Sequence, residues 1–139
     1  MASNILAKNT PRFVESVMTA SAGDFKSNAI FEKIGEEMGK NGADYVKKIK
    51  GIFCFKVKNA KGEQGVWIVD AKNGNGSVKF VNEGKGDVTI AMGDEDMIKM
   101  MLGQLNPQQA FFQGKLKITG NMGLAMKMKE FQAQAKAKL

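Results

Sequence analysis

Two hydrophobic periods divide the chain near Ile49. Before it, Ile30, Phe31, Ile34 and Met38 recur at helical spacing, with Asp24 as a candidate N-cap and Lys40-Asn41-Gly42 as a stop. A shorter helical turn is expected around Asp44 to Lys48. After Ile49 the period becomes two. In IKGIFCFKVK the set Phe53, Phe55 and Val57 alternates with Ile52, Cys54 and Lys56, and VWIVDAK, SVKFV, DVTIAM and KLKIT behave alike. In the last, Leu116 and Ile118 face one way while Lys115, Lys117 and Thr119 face the other, so one sheet face is packed and one is wet.

The rest of the pattern is helical. In GDEDMIKMMLGQL, Asp94 is a plausible N-cap, and Met97, Met100, Met101 and Leu105 recur on one side. Asn106 and Pro107 open a short helix carrying Ala110, Phe111 and Phe112, which Gly114 ends. Asn121 opens a C-terminal helix with Met122 and Met126, then Leu124, Met128 and Phe131, on adjoining faces. Helices should therefore cover only the packed face of the sheet. The predicted class is α+β, one domain over residues 24–139 behind a flexible leader or presequence at 1–23, where Pro11 interrupts any long helix.

Composition sharpens this picture. At 139 residues the chain is long enough for a packed core, and ten Met exceed what such a core needs. Seven of the ten lie from Met92 onward, six of them on the helices predicted to cover the sheet. Met is flexible and polarizable, so these helices suit either an adaptable apolar site, such as a lipid tunnel, or an ordinary core with Met as filler. Cys54 is alone, which rules out an intramolecular disulfide, and it sits in an apolar run as a core residue would. No apolar run reaches the roughly 18 residues that would span a bilayer, and no secretory signal opens the chain. A soluble intracellular protein is expected.

Net charge is +7, from twenty Lys and Arg12 against 14 acidic residues, with no His. Basicity on this scale suits anionic partners such as phosphorylated small molecules or acidic membrane surfaces. The lysines are scattered singly and no nucleic-acid module is present, so nucleic acid is not expected as a partner. Without His, and with one buried-looking Cys, the usual general base and metal ligands are lacking, and neither catalysis nor a cofactor is expected.

The blocks VKKIKGIFCFKVK, VWIVDAKNGNGSV and FFQGKLKITGNMGLAMK, in that order, resemble the sterol carrier protein-2 family from about Asp24 to the C-terminus. The leader is similar to the short presequence of precursors in that family. The resemblance implies a five-stranded mixed, mostly antiparallel sheet with helices on one face. It also implies a hydrophobic tunnel of low selectivity for fatty acids, fatty acyl-CoA, sterols and phospholipids. The implied wall is Phe31, Ile34, Met97, Met101, Leu105, Phe111, Phe112, Met122, Leu124 and Met126, with Gln113 placed to hydrogen-bond a head group. Many relatives are fused to peroxisomal enzymes, whereas no second domain is expected here.

The final tripeptide Ala137-Lys138-Leu139 is similar to the small-basic-leucine address read by a peroxisomal import receptor. The expectation is thus a monomeric lipid carrier of the peroxisome with a cytoplasmic pool, in transient contact with anionic membranes. The alternative is a Met-rich groove that binds partner helices or peroxisomal enzymes.

Overall fold

The computed structural model describes residues 21–131. Of the expected leader this includes only its last three residues; Ala22–Asp24 form a 3-10 turn in which the Asp24 carboxylate accepts from the Ser21 N–H at 2.8 Å. The final tripeptide lies outside the described residues.

Asp24 does not cap the long helix. Helix α1 spans Asn28–Ile49, and the carboxylate at its start belongs to Asp94. Asp94 Oδ2 accepts from the Lys26 N–H at 2.6 Å and Oδ1 from the Ser27 N–H at 2.8 Å. The break expected at Lys40-Asn41-Gly42 is a kink, and the short helical turn expected around Asp44 follows it as the second stretch of α1. The helix bends at Asn41 (φ −130°, ψ 27°) and runs on, because Gly42 lies where any Cβ would collide with the Asn75 carbonyl. Loop and helix can meet there only through glycine. Helix α1 stops at Lys50, a non-glycine residue in the left-handed region (φ 56°), with its N–H on Val46 O at 3.1 Å.

The five strands are β1 Gly51–Lys58, β2 Gln64–Ala71, β3 Ser77–Val81, β4 Val88–Gly93 and β5 Leu116–Gly120. They form one sheet in the order β3-β2-β1-β4-β5, in which only the central β1–β4 pair is parallel. Helices α2 (Asp94–Met101), α3 (Pro107–Phe112) and α4 (Met122–Met126) follow β4 and β5. Helix α1 packs on β2 and β3, α2 on β1 and β4, α3 on β5, and α4 on β4 and β5. The Leu124 side chain lies close over Gly51, where an added Cβ would push its methyls aside.

The packed face follows the predicted alternation: Phe53, Phe55, Val57, Trp67, Val69, Val88, Ile90 and Leu116 are all buried. The opposite face is not uniformly wet. Cys54 and Val66 are buried on it, and Cys54 Sγ–H donates to Gly84 O at 3.5 Å, in the loop joining β3 to β4. That loop shields this side of β1, and burial pushes the Cys54 thiol pKa up, against smaller lowering effects of Lys56 and Thr89.

Candidate functional site

Between the helices and the packed face runs an unbroken row of aromatic contacts. Phe25 meets Trp67 edge-on at 5.3 Å, Trp67 stacks on Phe31 at 4.5 Å and 10°, and Phe31 reaches Phe55 at 5.3 Å. Phe55 stacks on Phe53 at 5.7 Å, Phe53 meets Phe131 edge-on at 5.3 Å, and Phe131 lies 6.0 Å from Tyr45. The row traverses the sheet face from the start of α1 to its last turns. Buried Met38, Met92, Met97, Met100, Met101 and Met128 belong to the same apolar cluster.

The expected wall residues fall into two groups. Phe31 and Ile34, with 1% of their surface exposed, and Met97 and Met101, with 0%, are brought together in this interior; Leu124 is buried in the same cluster, and Leu105 is half-buried against it. A void wide enough for a lipid chain would leave accessible surface on its wall, so the expected tunnel is closed along these four side chains. The second group is outside. Phe111 is 41% exposed, Phe112 84%, Met122 49% and Met126 54%. Gln113 is exposed as the C-cap of α3, its N–H on Gln109 O at 2.9 Å.

The local sequence accounts for this split. Asn106 Oδ1 accepts from the N–H groups of Gln108 and Gln109, and Gly114 (φ 78°) reverses the chain. Helix α3 is then too short to bury more than one side, and Ala110 takes that side. In α4, capped by Asn121 Oδ1 on the Leu124 N–H at 2.9 Å, Leu124 and Ala125 turn inward, so the two methionines flanking them turn out. Alternating burial within a five-residue helix is too brief a pattern to assign its faces from sequence. Sequence reasoning also missed the buried aromatic Phe131 as part of the site. Its signal was the spacing from Leu124 and Met128 on one helical face.

No cluster of His, Cys, Asp and Glu able to hold a metal occurs among the described residues, and none of their helices is long and apolar enough to cross a membrane. The surface clefts are lysine-bearing. One of about 610 Å³ is lined by Lys50, Lys72, Lys127, Asp87, Asn121 and Leu124, among others. Lys127 Nζ there donates to the carbonyls of Lys48 and Ile49, both at 3.3 Å, satisfying the end of α1.

Comparison with known proteins agrees with this architecture. The chain is 53% identical over 129 residues to sterol carrier protein 2 of Oryctolagus cuniculus, covering 91% of this chain and 24% of that protein. It is 46% identical over 106 residues to peroxisomal multifunctional enzyme A of Dictyostelium discoideum, covering 75% of this chain and 24% of that protein. The chain thus spans about a quarter of the length of these curated relatives. Among solved structures, the solution structure of sterol carrier protein domain 2 of Helicoverpa armigera superposes with a TM-score of 0.71 at 42% identity, covering 87% of this chain and 96% of that one. The solution structure of palmitated SCP2L2 from Aedes aegypti gives 0.60 at 30% identity, covering 78% and 94%. A family profile described as the SCP-2 sterol transfer family matches residues 31–133, which hold all of the interior aromatic row except Phe25, and the chain belongs to that family.

Proposed function

We propose that this chain is a carrier, not an enzyme, which binds and transfers fatty acids, fatty acyl-CoA, sterols and phospholipids in the interior between α1, α2 and the sheet. The observation that carries this reading is the composition of that interior: buried methionines beside an aromatic row, with Met97, Met100 and Met101 all on one two-turn helix. Met side chains rearrange at low cost, so a closed interior can open around varied apolar shapes. Burying a sixteen-carbon chain is worth about 12 kcal/mol gross at ~0.8 kcal/mol per methylene, before ordering and opening costs. Affinity from area alone explains low selectivity, and a relative's palmitated structure supports an acyl chain as one ligand.

Phe31, Ile34, Met97, Met101, Leu105 and Leu124 form the wall of the opened state, and Phe111, Phe112, Gln113, Met122 and Met126 stand at its rim. In the delipidated protein, Met101→Asp should weaken palmitate binding by more than about 2 kcal/mol, since it sets an unpaired charge against the chain. Unchanged affinity in the folded variant removes Met101 from the wall. A groove for partner helices is the reading to adopt if delipidated protein takes up no lipid at all.

Similarity to a peroxisomal multifunctional enzyme supports a place in peroxisomal lipid metabolism, reached from a cytoplasmic pool through the import receptor. Deleting Leu139 should abolish import and leave palmitate affinity within about twofold. Retained import means that another segment carries the address.

A further inference from the structure

Helix α1 ends on a lysine held in the left-handed region, Lys50 at φ 56°. A residue other than glycine is strained there, and strain of this kind gathers at ligand-binding sites. Lys50 lines the cleft of about 610 Å³ together with Lys72, Lys127, Asp87 and Asn121. Lys72 directly follows β2, Asp87 directly precedes β4, and Asn121 and Lys127 cap the two ends of α4. Separate segments of the chain therefore converge on one recess.

Three ammonium groups share that recess with one carboxylate, and the carboxylate is engaged: Asp87 Oδ2 accepts from the Ile52 N–H at 2.9 Å. The ammonium groups of Lys50 and Lys72 make no ion pair or side-chain hydrogen bond among the described residues. The carbonyls that end α1 would repel an anion, but Lys127 Nζ covers those of Lys48 and Ile49 and keeps a third N–H to donate. The floor is apolar. Ile49 and Leu124 line the cleft and also belong to the buried interior cluster, so cleft and interior share these two side chains. Leu124 rests over bare backbone at Gly51, and Tyr45, the end of the aromatic row, lies one helical turn before Ile49.

We propose that this cleft is a head-group subsite: Lys50, Lys72 and Lys127 hold the phosphates of a fatty acyl-CoA whose chain enters the interior past Ile49 and Leu124. Pyrophosphate and ribose phosphate present several anionic groups at once, and three ammonium groups on separate segments can meet them together. A fatty acid offers a lone carboxylate and engages such a cleft only in part. The subsite therefore ranks ligands by head group while the interior reads only apolar area. It rests on the carrier reading and adds to it where the chain enters and which residues favour the CoA ester over the free acid.

The test is calorimetric titration of the delipidated full chain with palmitoyl-CoA, below its micelle threshold, and with palmitate. Lys50→Gly with Lys72→Gln should weaken palmitoyl-CoA at least about tenfold and palmitate less than about threefold. Glycine also relieves the strain at position 50, so a variant that is no less stable yet binds worse has lost a contact and not its fold. The charge-matched control, Lys79→Gln with Lys117→Gln on the other face of the sheet, should stay within about twofold for both ligands. Coenzyme A without an acyl chain should shift the amide resonances of Lys50, Lys72 and Asn121, and palmitoyl-CoA should also shift the Leu124 methyls. If wild type binds both ligands and the double variant binds palmitoyl-CoA as well as wild type does, the subsite is overturned and the carrier reading stands. Equal loss in the control variant overturns the subsite in favour of generic basicity. If wild type binds neither ligand, the carrier reading falls and the subsite with it.

Discussion

Asp94 is buried at the start of its own helix, yet its two oxygens serve the backbone of a segment 67 residues earlier. Sequence identifies an acidic cap but not which helix it caps, because the receiving N–H groups arrive through tertiary folding. Replacing it with Ala leaves the buried Ser27 N–H and the part-buried Lys26 N–H short of an acceptor and should cost about 2 kcal/mol in urea unfolding. Glu95→Ala removes an ion pair with Lys26 at 3.2 Å that is mostly in water, and should cost under about 0.5 kcal/mol. Equal losses would mean that the cap contributes no more than a surface charge. Tyr45, the single tyrosine, has its pKa raised from 10.0 to about 12, by burial first and then by the charges of Glu37, Glu130 and Asp44. A raised folded-state pKa means that its contribution to stability is complete below pH 10 and is lost as pH rises toward about 12. The phenolate absorbance should therefore rise near pH 12 in the folded chain and near pH 10 in urea, and coincident curves would place the ring in water.

Elements were legible where their period was long enough. All five strands and the inward set Ile30, Phe31, Ile34 and Met38 follow from alternation and helical spacing. The break at Lys40-Asn41-Gly42 was legible too, as the kink at Asn41, but the contact of Gly42 with the Asn75 loop was not, because it joins segments distant in sequence. The true stop, Lys50, carries no sequence signal, since a left-handed cap usually calls for Gly or Asn. Lys50→Gly should accordingly stabilise the chain by about 1 kcal/mol, raising the urea midpoint with an unchanged slope. A loss of stability would show that Lys50 makes a contribution larger than its backbone strain. Short α3 and α4 were legible as helices from Asn106, Pro107 and Asn121, but not as to which faces were buried. This is why four of the ten expected wall residues stand in water.

At the scale of the molecule, family resemblance implied a five-stranded mixed, mostly antiparallel sheet, whereas the order β3-β2-β1-β4-β5 with its single parallel pair was not legible, because alternation is blind to which strands are neighbours. The same limit applied to the site: spacing placed the methionines over one sheet face without saying whether they pack shut. Met97, Met100 and Met101 are fully buried, while Met122 and Met126 face water. The central claim is that an acyl chain occupies the interior. It is tested most directly by transferring nuclear Overhauser effects from palmitate methylenes to methyl-labelled methionines in the saturated complex. The account predicts effects at Met97 and Met101, whose methyls should contact the chain; effects confined to Met122 and Met126, or absent at saturation, would contradict it.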